Sequence, residues 1–325
     1  MNASLKKESQ MEVLGHCPAC GGKKHNGSMV VCRDYLVTLE LFQIVECENC
    51  QLRFTNPRPS KQKIAAYYRS EDYLSHSDGK NNLLEKTYQH VKTLMLDRKL
   101  KMIGKHSKRE GRKLLDFGCG TGDFLLAAEK KGYNAIGYEP GKNAASKAKA
   151  KGVRVFTRME ELYETITQTK PDIITLWHVL EHMHEYPGII DTLNLLLNKN
   201  GILVIAVPVS SSLDAKRYHK YWAAYDVPRH LFHFTPDTLV PAIVQKGFRF
   251  VGKNGLPFDS YYISLLSEKN KKQDKAENTG PKPTKIKPSL IDFIKATAIG
   301  SASNLSAMLQ RTPWSGEVYT FEKTG

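Results

Sequence analysis

The sequence has no run of about 18 uncharged apolar residues, the length a helix needs to cross a bilayer. Its first residues, Met-Asn-Ala-Ser-Leu-Lys-Lys, carry no apolar segment of a secretory signal. Membrane-spanning helices are therefore not expected, and the expected location is cytoplasmic. Acid is scarce: 33 Asp and Glu face 48 Lys and Arg, a net charge of +15. That excess suits an anionic partner but does not bear on the fold. No internal repeat is present, which removes solenoid architectures. Cysteine is nearly absent beyond residue 50, where only Cys119 follows Cys17, Cys20, Cys32, Cys47 and Cys50. A disulfide framework needs a wider distribution and an oxidising compartment. With 325 residues, 41% of them apolar, two folded units are expected.

The clustered cysteines form two C-x2-C pairs, Cys17-Pro-Ala-Cys20 and Cys47-Glu-Asn-Cys50. Two thiolate knuckles at this spacing point to a structural Zn2+ in a zinc ribbon, where the metal replaces a core that about 45 residues cannot build. Gly21 and Gly22 supply the first turn, and Tyr35 to Val45 is β-branched and aromatic enough for a strand. Cys32 lacks a C-x2-C partner and reads as a small core residue, while His16 and His25 rank well below the four cysteines as ligands.

After the rigid Asn56-Pro57-Arg58-Pro59, helical periodicity runs over Lys61 to Arg69 and Leu83 to Ile103. Short apolar runs then alternate with amphipathic stretches. Strands are expected at Lys113–Phe117, Asn134–Tyr138, Val153–Phe156, Asp172–Trp177 and Gly201–Val207. This rhythm implies an α/β fold with a doubly wound, mostly parallel sheet covered on both faces. Thr235 reads as an N-cap ahead of Pro236, opening a helix that a strand from Phe248 follows. Glu268 to Ser289 reads as a solvated linker, and Glu317–Glu322 as a strand that returns to the sheet as part of an antiparallel edge hairpin. The expected organisation is a zinc-ribbon module at 13–58, a helical connector or lid at 59–110, a main domain at 111–257 and 316–325, and a linker with a helical excursion at 258–315.

Asp116-Phe117-Gly118-Cys119-Gly120-Thr121-Gly122 lies between the first expected strand and a helix. Such a turn lets a ligand approach the backbone and meet a helix N-terminus. Asp116 at the loop's entry would repel a dinucleotide pyrophosphate but suits an ammonium-bearing ligand. The G-x-G-x-G spacing also departs from the dinucleotide fingerprint. Glu139 ends the next strand, where an acid can bind ribose hydroxyls. The set reads as a pocket for a cationic nucleoside such as S-adenosyl-L-methionine.

These residues, together with Asp172-Ile-Ile-Thr-Leu-Trp-His-Val-Leu-Glu-His182, resemble the class I S-adenosylmethionine-dependent methyltransferases, which have a Rossmann-like sheet. The closest resemblance is to the group that includes ubiquinone-biosynthesis O-methyltransferases. It covers roughly residues 80 to 256 and the terminal strand. The cysteine pairs, the Tyr67, Tyr68, Tyr73 and His76 stretch, and Trp222 with Pro228-Arg229-His230-Leu231 and Phe234-Thr235 further resemble bacterial members with an N-terminal zinc ribbon. The resemblance places Asp116, Gly118, Cys119, Gly120 and Gly122 around the methionine portion of the cofactor and Glu139 on the ribose. It puts Arg158, Met159 and Glu160 near the adenine, and Trp177 and His178 beside the sulfonium and acceptor.

If the acceptor is a hydroxyl, a base is needed, and neutral imidazole serves near pH 7. His178 leads by position and His230 is the second choice, with His233 beside it. His182 reads as a structural histidine. His178-Val-Leu-Glu-His182 also spells an inverted zinc-peptidase signature, but its place at the end of a parallel strand argues against that reading.

The expected activity is methyl transfer to a small-metabolite, glycan or lipid-linked acceptor, preferably at oxygen. The competing readings are an RNA methyltransferase that uses the ribbon and basic segments, and a non-catalytic interaction protein. Residues 97–113 and 269–287 supply +6 and +5 of the charge and read as linkers or helix ends outside the pocket. Leu290 to Leu309 reads as a lid, a packing element or a membrane-surface helix. The last ranks lowest because Asp292 and Lys295 interrupt it and its basic face is sparse.

Overall fold

A computed structural model describes residues 11–68, 83–105, 112–279 and 288–325; Tyr73 and His76 lie outside these ranges. The N-terminal strands are β1 (Met11–Glu12), β2 (His25–Arg33), β3 (Leu41–Cys47), β4 (Arg53–Thr55) and β5 (Arg58–Pro59). Helix α1 (Leu83–Gly104) leads into an alternating run: β6 (Lys113–Phe117), α2 (Asp123–Lys130), β7 (Asn134–Tyr138), α3 (Lys142–Ala150), β8 (Val155–Phe156), α4 (Met159–Gln168), β9 (Ile173–Trp177), α5 (Tyr186–Leu196) and β10 (Ile202–Pro208). Then come α6 (Leu213–Tyr218), β11 (Phe232–His233), α7 (Pro236–Val244), β12 (Phe248–Gly255), α8 (Pro257–Thr279), α9 (Leu290–Met308) and β13 (Gly316–Lys323).

The large sheet has the order β12-β13-β10-β9-β6-β7-β8. All pairs from β10 to β8 are parallel, and β13 runs antiparallel to both β10 and β12. The terminal segment thus returns as an inner strand of the antiparallel edge. Strand alternation sends Leu115 and Phe117 of β6, with Leu203, Ile205 and Val207 of β10, into one core, and Leu114, Ile202, Val204 and Ala206 into the other. Both faces are covered, as near-continuous apolar strands require.

Three segments differ from the sequence expectation. Lys61 to Arg69 contains a single 3-10 turn, Ile64–Tyr68, in place of an α-helix. The stretch from Tyr35 to Glu40 is a turn before β3, because Asp34 accepts hydrogen bonds from the amides of Leu36, Val37 and Thr38. The segment from Glu268 to Thr279, read as linker, continues α8 and rests on α9. Tertiary contact supplies the stability its polar sequence does not advertise.

The ribbon is built into the larger body. β2, β3 and β4 form an antiparallel sheet that β11, from the segment after β10, completes by pairing with β4. Val45, Cys47, Leu52 and Phe54 join the core that covers one face of the large sheet. On the other side, Val30, Cys32, Phe42 and Ile44 pack with Tyr218, Trp222 and Tyr225. Cys32 is 2% exposed, a core residue as expected.

Candidate active site and metal centre

The four cysteines converge. Sγ atoms of Cys17, Cys20, Cys47 and Cys50 all lie within 4.8 Å of one another. Cys17 to Cys50 and Cys20 to Cys47 are each 3.6 Å apart. A disulfide needs about 2.05 Å, whereas thiolates about 2.3 Å from a tetrahedral Zn2+ stand about 3.8 Å apart. The donor set and its spacing therefore fit that ion.

At the end of β6 the backbone turns sharply. Gly118 sits at φ 80°, and a Cβ there would come within 2.5 Å of Val179 Cγ2, so conformation and space both demand glycine. Gly120 is also left-handed, at φ 53°, but a Cβ would meet nothing within 4 Å, so its side opens into the cradle. The loop amides are less available than the sequence suggests. Those of Gly118 and Cys119 donate to the Tyr138 carbonyl at 2.8 and 3.0 Å, and that of Gly122 donates to the Cys119 carbonyl at 3.0 Å. The amide of Gly120 donates to Glu139 Oε2 at 3.0 Å, and Gly141 donates to Oε1 at 2.8 Å. Glu139 thereby pins the loop across the tips of β6 and β7. The Cys119 thiol packs inward near Gly137 and is 8% exposed, so only its backbone faces the cradle.

Asp116 is 2% exposed and accepts a 2.6 Å hydrogen bond from the Thr175 hydroxyl on β9. Burial pushes its carboxyl up to about 7, against the pull of Thr175 and the Lys99 ammonium. Lys99 belongs to α1 and to the basic run that the sequence places outside the pocket; the structure corrects this. Its Nζ lies 4.4 Å from the centre of the Trp177 ring and is electrostatically coupled to Asp116 and Asp259. Helical phase carries Lys99 to the carboxyl end of β9, which a charge count cannot register. The Trp177 indole N–H is buried and has no hydrogen-bond partner. Met159 is half-buried at the start of α4, while its neighbours Arg158 and Glu160 are exposed and pair with each other at 3.4 Å.

His178 follows β9 at φ 56°. Its Nδ1 lies 3.6 Å from Glu181 Oε1 and its Nε2 lies 3.6 Å from Asp259 Oδ2 on the first turn of α8. Burial works against the imidazolium, but the two carboxylates outweigh it and raise the His178 pKa above the ordinary range. Glu181 is 1% exposed, and neither carboxylate oxygen has a hydrogen-bond partner. Burial opposes its charge, yet His178, His230 and His182 hold its pKa below the usual range.

His182 and His230 stack edge to face with centroids 4.6 Å apart. His182 Nδ1 meets the Arg229 carbonyl at 3.1 Å and Tyr68 Oη at 3.0 Å. His230 Nδ1 meets the Ala224 carbonyl at 2.8 Å. A carbonyl only accepts, so both Nδ1 atoms carry a proton. Glu181, His182 and His230 present one donor atom each within 4.8 Å, the second such cluster among the described residues. Burial and His230 lower the His182 pKa to about 4. His233 is 3% exposed and stands apart, with Nε2 3.0 Å from Thr55 Oγ1. The H-x-x-E-H run occupies a strand end and a 3-10 turn, Leu180–His182, not the helix a peptidase needs.

The structure thus brings Asp116, the glycine loop, Glu139, Trp177 and His178 to one end of the parallel strands. Sequence reasoning missed Lys99, Thr175, Glu181 as a partner of His178, and Asp259. Glu181 was visible inside its motif, but nothing local signals Asp259, which reaches His178 from a distant helix.

The chain matches a methyltransferase-domain family model over residues 88–252, just over half its length. It is 22% identical over 159 residues to the ubiquinone biosynthesis O-methyltransferase of Rhodopseudomonas palustris, covering 46% of this chain and 63% of that protein, under two thirds of the relative's length. Similar solved structures include a cyclopropane synthase from Mycobacterium tuberculosis (17% identity, TM-score 0.45, covering 71% of this chain and 84% of that one). Another is the magnesium protoporphyrin IX methyltransferase of Synechocystis (13% identity, TM-score 0.49, covering 82% and 100%). With its family match and the mostly parallel sheet that carries the glycine loop, this chain belongs to the methyltransferase-domain family.

Proposed function

We propose that the chain methylates a hydroxyl of a small-metabolite, glycan or lipid-linked acceptor, with His178 as the base. The observation that carries this reading is the placement of His178 beside Trp177, with its imidazole between Glu181 and Asp259. The cradle fits the cofactor's chemistry: Asp116 faces an ammonium, Glu139 a ribose diol, and the open side of Gly120 leaves room for the ligand. Gly118 and Gly122 shape the loop, Cys119 contributes backbone, and Met159 borders the adenine side. When bound, S-adenosylmethionine supplies a methyl group on a sulfonium that leaves without acid assistance.

What remains for the protein is alignment and removal of the acceptor proton. His178 takes that proton at Nε2, the nitrogen not turned toward Glu181, and Glu181 stabilises the imidazolium that results. His230 lies behind this pair and shares Glu181 with it, which makes it a positioning residue. Cys17, Cys20, Cys47 and Cys50 hold a structural Zn2+. In this reading the ribbon covers 13–58, the connector 59–110, the methyltransferase domain 111–257 with 316–325, and the excursion 258–315.

Incubation with methyl-labelled cofactor and separated cell extracts tests the reading. Label is expected in a solvent-extractable compound as a base-stable ether, and label in RNA overturns the proposal. His178→Ala is expected to retain cofactor binding and slow turnover by about 10²–10⁴-fold. Undiminished turnover removes His178 as the base.

A further inference from the structure

Glu181 and His182 sit on the 3-10 turn that follows β9, and His230 on the loop that leads into β11. A backbone bond holds the two segments together, with the Leu231 amide donating to the Glu181 carbonyl at 2.8 Å. The His230 carbonyl accepts from Thr55 Oγ1 at 2.9 Å, which fixes this loop against β4. Both imidazoles are oriented through Nδ1, which gives its proton to a backbone carbonyl: Arg229 for His182 at 3.1 Å, Ala224 for His230 at 2.8 Å. Metal-ligating histidines are held in this way, because the carbonyl fixes the tautomer and leaves Nε2 as the ligand atom.

Glu181 is the third donor. Its carboxylate is 1% exposed and neither oxygen has a hydrogen-bond partner, a costly state for a buried anion. His178 Nδ1 stands off from Oε1 at 3.6 Å. The guanidinium of Arg229, next to His230 in the chain, is taken by Asp34 and Asp226, each at 2.8 Å. The donor atoms of Glu181, His182 and His230 lie within 4.8 Å of one another, and small side-chain rotations close that spacing onto one ion at N and O distances of about 2.0–2.2 Å. His182 is only half-buried, which gives the cluster a path to solvent. Two imidazoles and a carboxylate form an N/O set that suits first-row divalent cations and leaves positions for water or an acceptor oxygen. The four thiolates of the ribbon are a softer set, so the two clusters select different ions.

We propose that Glu181, His182 and His230 bind a second metal, an exchangeable first-row divalent cation, beside the methyl-transfer site and separate from the ribbon zinc. Only two of its ligands come from the H-x-x-E-H run, and the third comes from the loop before β11, so the set is not that of a peptidase. The proposal concerns ion binding alone and stands independently of the acceptor and base assigned above.

Mn2+ is the probe, because thiolates favour zinc over it. The full chain, dialysed and retaining its ribbon zinc, is titrated with Mn2+ and followed by loss of the free-ion EPR signal. One Mn2+ per chain is expected, with the zinc undisplaced. Binding is expected to weaken about tenfold or more in Glu181→Gln and in His230→Gln, each shown to be folded by a cooperative thermal transition. In the wild type, pulsed EPR of the bound Mn2+ should show coupling to imidazole nitrogen, a signature that needs no variant. The proposal is overturned by no saturable binding, by Mn2+ that enters only as zinc leaves, by absence of the nitrogen coupling, or by undiminished binding in the folded variants. Neither acceptor nor turnover enters this readout, so its failure is distinguishable from failure of the methyl-transfer reading.

Discussion

Asp116 shows how far a single residue departs from what its type suggests. Read in sequence it is a carboxylate; folded, it is a buried acid titrating near 7. The free protein therefore holds this proton below about 7, while a ligand ammonium favours the ionised form. If Asp116 meets the cofactor's ammonium as proposed, binding at pH 6 expels the proton. Affinity is expected to fall as pH drops below about 7, by up to about tenfold per unit, with proton release visible as a buffer-dependent calorimetric enthalpy. In Asp116→Asn affinity should be low and flat with pH. A flat wild-type profile between pH 5.5 and 8 would show that Asp116 does not meet the cation. The type and place of Asp116 were legible because the loop motif is local. Its protonation was not, because the burial that raises its pKa, against the pull of Thr175 and Lys99, is created only when distant elements pack around it.

Strand and helix boundaries in the alternating region follow from apolar periodicity, and β6 and β7 begin and end where the sequence places them. The pattern is strong there because parallel strands are buried on both faces. Periodicity failed where local hydrogen bonding or tertiary contact decides, as at the Asp34 turn and the polar half of α8. The two-residue β11 is too short for any pattern to show, yet it ties ribbon to methyltransferase sheet. Beside it, Arg229 is 1% exposed and bonds Asp34 at 2.8 Å, Asp226 at 2.8 Å and the Tyr67 carbonyl at 2.9 Å. One guanidinium thus joins the ribbon turn, the connector and the loop that carries His230. Arg229→Ala leaves two acids uncompensated in a dry site and should cost about 3–5 kcal/mol in chemical denaturation. A cost below about 1 kcal/mol would mean the pairs contribute no more than surface ion pairs.

At the scale of the molecule, the ribbon is a wall of the core. Because Cys47 and Phe54 share a hydrophobic cluster with Leu115 and Leu203, loss of the metal should not melt the ribbon alone. One zinc per chain is expected, lost in Cys47→Ser and retained in His178→Ala and His230→Ala. Chelation should lower the thermal midpoint of the whole chain in a single transition. A midpoint for the methyltransferase part that is unmoved by chelation would make the ribbon an independent unit. The sequence by itself determined the doubly wound sheet, the glycine loop with its two acids, and the four thiolates. Each of these rests on a short-range repeat or spacing that the chain carries locally. Only the tertiary structure decided which groups face His178 and which lysine enters the pocket. Those outcomes depend on helix phase and on contacts between residues dozens of positions apart, which no local pattern records.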